Sequence, residues 1–397
     1  MRLTYEELDK VKQKYGVDQL WSFSKFNCYR TSQYEWMLKY LQKKPENTEK
    51  PSAYAPMGSI CHDALEKFYN KELTYNELSN EFDDGFITNI EIAGLCFDRS
   101  DSTKNENIKT KYYNNLMHYF MNFHPMEHKP LMEQFLAIKI TDDIVFQGYA
   151  DCIVKDDEEN FVVLDFKTST LYKGKKADKE SAQLVLYSEA LRQKGIPKEK
   201  IKCAWNFLKY VLVDCEQVNG KIKTREIERS EIGESLQAST KVWLKKLGYE
   251  NQIVEYLDEL VQTNDINCLP EDVRAKFNIR DCIVYVDNIW DLYDELKEEI
   301  TSTIKEINEK VEQYNFLKDT DIESAEKLFW DNEDSLKEQS YYYNNLCGYS
   351  IPTIKPYKAY LDKINAEKNG DIFGSKPVQN TNDEYAEDDL SWLNDLV

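Results

Sequence analysis

The stretch GYADCIVKDDEENFVVLDFKTS, residues 148–169, decides the fold. Two runs rich in β-branched and aromatic residues flank an acidic turn at 155–160, the pattern of two strands joined as a hairpin. Asp165 and Lys167 stand two apart on the second strand, so both point to one face, while Phe166 points to the opposite, apolar side. Asp151 lies near the end of the first strand, 14 residues upstream across the hairpin. Two carboxylates on adjacent strands that converge with an ammonium suit a hard divalent cation. Phosphodiester hydrolysis needs such a group: a cation to polarise the phosphoryl oxygen, an activated water, and charge stabilisation in the transition state. A D-x-K triplet alone also fits an ordinary salt-bridged strand pair. This one ends the apolar run FVVL and has a second Asp opposite it.

Outward from this hairpin, LMEQFLAIKI (131–140) adds a further strand, so that 131–140, 143–156 and 160–169 form a three-stranded meander. Residues 179–194 read as a helix closed by Gly195 and Pro197, and 201–215 return as a strand. Upstream, 19–42 read as an aromatic-rich loop and a helix, with Ser22 and Ser24 as caps or turn formers. Residues 43–57, with Pro45, Pro51 and Pro56, read as a connection. Residues 57–69 form a helix whose apolar face holds Ile60, Ala64, Leu65 and Phe68. Residues 77–123 are mostly helical, and Pro125 and Pro130 close them. The order of helix, three strands, helix and strand predicts an α/β core. Downstream, 231–316 are mainly helical. The stripe Tyr293, Leu296, Ile300, Ile307, Val311 and Tyr314 fits either a packed bundle face or a coiled-coil seam. The stretch 263–287, with Pro270 and a short β-like CIVYV, has no assigned place.

The 397 residues carry 51 Lys and Arg against 72 Asp and Glu, a net charge of −21. That balance disfavours general affinity for nucleic acid, so a DNA-binding reading requires a local basic surface. Residues 167–209 supply one, with 11 basic and 4 acidic side chains, a local +7. Within it Lys173, Lys175, Lys176 and Lys179 follow the D-x-K strand directly, as phosphate contacts or as a solvated loop. No apolar run is long enough for a membrane span. The N-terminus lacks the apolar stretch of a signal peptide. Nine Cys, an odd and sparse number, point to a reducing, cytoplasmic compartment.

Two flanking features complete the pattern. Gly58-x-x-x-His62-x-x-x-Glu66 puts an imidazole on a helix that begins with a close-approach glycine, and Gln183-x-x-x-Tyr187 sets an amide and a phenol on one helix face. The ordered string G-x-x-x-H, G-Y-x-D, D-x-K-T-S and Q-x-x-x-Y resembles the PD-(D/E)XK nuclease superfamily, in its RecB-like branch, which includes CRISPR-associated exonucleases. The resemblance covers about residues 20–215, with an echo near 341–358. It implies a restriction-endonuclease-like core, a mixed central sheet flanked by helices, here with large helical additions. It implies that His62, Asp151, Asp165 and the backbone carbonyl of Phe166 hold Mg²⁺ or Mn²⁺. Lys167 would orient the attacking water or stabilise charge at the phosphate. Gln183 and Tyr187 would support the site and hold the DNA end. His62, Asp151, Asp165 and Lys167 are therefore expected to converge in one cleft.

Many relatives bind a four-iron cluster through one N-terminal and three C-terminal Cys. Here Cys28 and Cys347 stand at matching places, Ser350 replaces the next thiolate, and no Cys follows Cys347, so no cluster is expected. The resulting division is 1–57, an aromatic loop and helix; 58–215, the nuclease core, with a helical insertion at about 70–125; 216–365, a mainly helical region packed on the core; and 366–397, a disordered acidic tail. The expected function is a metal-dependent DNA exonuclease or end-processing enzyme in recombination, repair or phage DNA metabolism, in a bacterial cell or phage-infected host. The alternative is a nuclease-fold scaffold or inhibitor that acts by binding alone. Residues 383–397 hold six acidic and no basic residues, with Leu390, Trp392, Leu393, Leu396 and Val397 interleaved. They read either as a segment that docks on a protein partner or in the protein's own DNA channel, or as an inert tail.

Overall fold

The structure is a computed structural model that describes residues 2–370. Its centre is a seven-stranded mixed sheet. The meander is present as β2 (Leu131–Lys139), β3 (Val145–Lys155) and β4 (Phe161–Lys167), with antiparallel pairing at both steps. A two-residue strand, β1 (Trp21–Ser22), lies parallel to Phe146 and Gln147 on the side of β3 that faces β4. It precedes two short helices, α2 (Phe23–Thr31) and α3 (Gln33–Trp36), and follows α1 (Tyr5–Tyr15), which buries none of its residues. Ser22 caps α2 by accepting a hydrogen bond from the Lys25 amide, whereas Ser24 lies inside the helix. After β4 the chain runs through α7 (Lys175–Glu180) and α8 (Ala182–Gln193) to β5 (Ile201–Glu216), which lies parallel to β4. A parallel neighbour requires a crossover of this kind, and a strand covered on both faces reads as a nearly continuous apolar run, as IKCAWNFLKYVLVDC does.

Helices cover both faces. On one side α4 (Tyr54–Tyr69), α5 (Leu78–Phe86) and α6 (Ser102–Met121) enclose Val162, Leu164 and Phe166 of β4. On the other, α2, α8 and the later long helix over Ile289–Leu317 enclose Val163 of β4 and Trp205 and Phe207 of β5. The split along β4 follows its period of two. Helix α4 starts at Tyr54, three residues before the expected boundary, because Pro56 falls in its first turn, where amides have no helical partner. Gly58 is not a close-approach position, since a Cβ there would meet only Thr168 Oγ1 at 3.9 Å.

The region after 215 is mainly helical and also supplies two strands to the sheet. Strand β6 (Ile222–Glu228) pairs with the far end of β5. Two helices follow, α9 (Ile232–Lys246) and α10 (Ile253–Thr263), and then a single turn, α11 (Glu271–Arg274). The unassigned stretch supplies β7 (Phe277–Tyr285), which runs antiparallel to the length of β5, with a register shift between Asn206 and Val211. Together they build a third core around Leu236, Trp243, Leu260 and Phe277. Helix α12 (Ile289–Leu317) turns its stripe into the protein's own core, where Tyr293, Leu296, Ile300, Ile307 and Tyr314 are buried. Three more helices follow, α13 (Ile322–Lys327), α14 (Glu333–Glu338) and α15 (Lys355–Gly370). The last of these carries helix through 366–370, which the sequence places in the tail; residues 371–397, including 383–397, lie outside the described residues. Among the described residues no helix is long and apolar enough to cross a membrane.

Candidate metal centre

The C-terminal end of β4 brings most of the expected groups together. Asp165 and Lys167 share the face that their parity dictates, with Lys167 Nζ 2.8 Å from Asp165 Oδ2. The contact is too bent for a hydrogen bond, so this buried carboxylate oxygen has no hydrogen-bond partner. Asp151 reaches β4 from β3 and accepts from the Phe166 amide at 3.1 Å. His62, two turns into α4, donates from Nε2 to the Phe166 carbonyl at 2.8 Å and lies 3.6 Å from Asp151 Oδ2. The backbone amide and carbonyl of one residue, Phe166, therefore tie the β3 carboxylate and the helix histidine to the D-x-K strand.

Electrostatics follow from this crowding. Burial pushes the Asp151 carboxyl up, and the neighbouring His62 only partly opposes the shift. For His62 burial disfavours the cation, but the Asp151 carboxylate, the Phe166 carbonyl and Asp165 together outweigh it and raise the pKa. Burial likewise works against the charge of Lys167, yet Asp165 holds it well above the usual lysine range. Lys167 is thus a fixed cation at neutral pH and cannot take up a proton.

A fourth ligating side chain was not among the sequence candidates. Glu133 stands opposite Asp151 in the β2–β3 register, between the pairs Met132–Cys152 and Gln134–Ala150. It adopts a positive φ of 47°, an uncommon conformation for a side-chain-bearing residue and a local break in the strand. Donor atoms of His62, Glu133 and Asp151 all lie within 4.8 Å of one another, a spacing that a single cation can bridge. His62 and Glu133 open onto a cleft of about 210 Å³, lined also by Arg2, Ser59, Asp63 and Glu66; Asp151, Asp165 and Lys167 do not line it. Burial and the nearby Glu66 raise the Glu133 pKa. Carboxylate and imidazole donors suit a hard to borderline divalent ion, and Asp165, whose Oδ2 contacts the Lys167 ammonium but accepts no hydrogen bond, adds negative charge beside Asp151. The residues present fit such an ion. Hairpin arithmetic, counting back across 139–145 from Asp151, is the signal that would have found Glu133.

Gln183 and Tyr187 stand behind this cleft. Gln183 Nε2 donates to Tyr187 Oη at 3.0 Å, and the buried phenol lies directly over Gly148. A Cβ on Gly148 would come within 2.8 Å of the ring carbon Cε1, so the glycine of GYAD is the position of close approach. Burial pushes the Tyr187 pKa up to about 12. Of the four lysines expected at phosphate, Lys173 pairs with Glu226 at 2.6 Å and Lys176 lies 6.0 Å from the centre of the Tyr172 ring. Lys175 and Lys179 are exposed on α7.

Away from this site, Cys347 donates to a buried carboxylate whose charge also acts on Cys28. Cys347 Sγ lies 3.6 Å from the buried Glu35, which also accepts from Tyr342 at 2.6 Å. Burial first, and Glu35 second, raise the pKa of both thiols. The N- and C-terminal segments meet here through hydrogen bonds as well as apolar contacts. Asp331 accepts from Ser32 Oγ (3.0 Å), the Gln33 amide (2.8 Å) and Tyr343 Oη (3.1 Å), so it caps α3 from nearly 300 residues away. Ser350 bonds with Thr353 and, through its amide, with Asn47.

In comparisons with known proteins, the family model described as PD-(D/E)XK nuclease superfamily matches residues 20–308. No curated protein matches the sequence.

Proposed function

The chain belongs to the PD-(D/E)XK nuclease superfamily, and on that premise we propose that it is a divalent-metal-dependent deoxyribonuclease that acts as an exonuclease or end-processing enzyme. The observation that carries this reading is the meeting of His62 and Asp151 on the backbone amide and carbonyl of Phe166, between Asp165 and Lys167. A binding module has no use for all four, and this disfavours the scaffold reading. We assign His62, Asp151, Asp165 and the Phe166 carbonyl, with Glu133 added, to the cation, which would be Mg²⁺ or Mn²⁺. Bound there, such an ion supplies Lewis-acid polarisation of the scissile phosphoryl group. His62 must release its Nε2 proton to serve as a ligand, so cation affinity falls as pH falls. Lys167, permanently charged beside Asp165, donates to the nucleophilic water or the phosphate and stabilises negative charge as it develops. It does not act as the general base. Gln183 and Tyr187 brace β3 and keep Asp151 aligned.

The wider reading rests on weaker supports. The order of the motifs favours the RecB-like branch. The protonated thiols beside Glu35, and the lack of a Cys after residue 347, argue against an iron–sulfur cluster. Exposed Lys175 and Lys179, more than the paired Lys173, are the proposed phosphate contacts. We propose a core over 58–215 with a helical insertion at about 70–125, to whose sheet 216–365 adds β6 and β7. A role in recombination, repair or phage DNA metabolism in the cytoplasm follows from the class of substrate. The test is cleavage of end-labelled linear and closed circular DNA, single- and double-stranded, with Mg²⁺, Mn²⁺ or a chelator. Metal-dependent loss of linear but not circular substrate is expected, and Asp165→Ala should abolish it without unfolding the protein. Undiminished cleavage by Asp165→Ala would refute the site, and absence of cleavage by the wild-type protein on every substrate would refute the activity.

A further inference from the structure

Far along β5 from the metal centre, the β5–β6 hairpin and α9 enclose a groove of about 590 Å³. Val218 and Val242, 53% and 47% exposed, lie in its wall above the buried Trp243. Large aliphatic side chains exposed side by side in a concavity are unusual on a chain this polar. The rim is basic. Lys223 and Arg225 line the groove, Lys246 lies 4.7 Å from the centre of the Trp243 ring, and Lys276 lies 4.8 Å from it. Among the described residues that line the groove, Glu216 is the one carboxylate, and it pairs with Lys276 at 3.0 Å. A basic rim around an apolar floor is a departure for a protein with a net charge of −21.

The same chain holds the complementary pattern. Residues 383–397 pair six carboxylates with Leu390, Trp392, Leu393, Leu396 and Val397, and contain no basic residue. We propose that residues 383–397 dock within their own molecule into this groove, with Trp392 and its leucine neighbours on Val218 and Val242 and the carboxylates on Lys223, Arg225 and Lys246. Charge complementarity fits this segment, and the exposed valines select it over DNA, which is also anionic but has no aliphatic side chains to cover them. Chain length permits it. The 19 residues between Gly370 and Leu390 span at most about 60 Å. A folded body of this size has a radius of gyration of about 21 Å, hence a diameter near 55 Å. The proposal does not depend on the nuclease activity.

The test is a photo-crosslink in the full-length protein. A p-benzoyl-phenylalanine placed at Trp392 should, on irradiation of dilute monomer, link within the molecule to peptides containing 215–225 or 239–243. Raising the salt concentration should reduce the yield several-fold. Lys223→Glu with Lys246→Glu, and separately Val242→Asp, should each reduce it by at least about fivefold, with an unchanged circular dichroism spectrum; all three side chains are solvent-accessible, so the fold survives their change. Crosslinks that map to other segments, or that join two copies at every dilution, would overturn the proposal. So would no crosslink at all, or a yield indifferent to these substitutions.

Discussion

Lys209 is a buried cation in the wrong place, and its replacement should stabilise the protein. It sits on β5 inside the register shift between Asn206 and Val211 and is 3% exposed. Its ammonium lies 3.6 Å from the centre of the Tyr112 ring on α6 and 6.0 Å from that of Tyr210. Glu228, on β6, is the nearby carboxylate, but Lys111 on α6 already pairs with it at 3.3 Å, and Asn115 donates to it at 2.9 Å. Burial therefore pushes the Lys209 pKa down to about 7, Glu228 opposing the shift and Lys111 adding to it. A folded pKa below the unfolded value means that the unfolded chain binds more protons between about pH 7 and 10.5, so stability rises with pH across that window. At 1.36 kcal/mol per unit, the rise from pH 7 to 9.5 is about 3 kcal/mol. An attraction of about 1 kcal/mol from the face of Tyr112 draws the rise down to about 2 kcal/mol. Lys209→Met keeps the length of the side chain and removes the titration. Urea unfolding of both proteins at pH 7.0, 8.0 and 9.5 should show the variant more stable by a few kcal/mol at pH 7, with the gap narrowing by about 2–3 kcal/mol at pH 9.5. The other titrating groups cancel in this difference. Parallel profiles, or a variant less stable at pH 7, would falsify the account of Lys209 as an uncompensated buried charge.

Glu133→Gln should weaken Mn²⁺ binding, measured by calorimetry, by about tenfold or more while leaving the secondary structure intact, since even partners outside a metal's first coordination sphere are worth about 10–100-fold. Gly148→Ala should cost about 1–3 kcal/mol in unfolding free energy. It should also lower cleavage per folded molecule, because the new Cβ forces Tyr187 away from β3 next to Asp151. Asp331→Ala strips the cap from α3 and leaves Tyr343 without its acceptor; a loss of about 2–4 kcal/mol is expected in chemical denaturation, with activity per folded molecule retained.

What the sequence makes legible here is local. The meander can be read because each strand is a β-branched and aromatic run bounded by acidic turns, and Asp165 and Lys167 because parity on a strand leaves no freedom. His62 and Asp151 needed the order of motifs as well as their own surroundings. The missing parts all depend on contacts distant in sequence. Strand β7 reads as FNIRDCIVY, with a polar residue at nearly every second position, and becomes a strand by pairing with β5 some 70 residues earlier. Asp331 carries no sign in its own neighbourhood that it will cap a helix near residue 33. Glu133 reads as a solvent-facing residue in LMEQFLAIKI until the hairpin register sets it against Asp151.

The two buried lysines show how the same side chain comes to opposite ends. Both are on central strands; Lys209 is almost wholly removed from water and Lys167 is 27% exposed, yet burial works toward the neutral amine in both. Lys167 has Asp165 two residues away on the same strand face, with a carboxylate oxygen that nothing else satisfies, and stays charged. Lys209 faces a carboxylate whose charge Lys111 and Asn115 have already engaged, and its hold on the proton weakens. The difference lies in whether the partner has other claimants. At the metal centre the claimants are few: Asp165 has one ammonium, and Asp151 one amide and one imidazole. That deficit of positive charge, surrounded by Glu133, Asp63 and Glu66, costs stability in the isolated protein. A divalent cation would relieve it, so the protein should be measurably more stable with Mg²⁺ or Mn²⁺ than without.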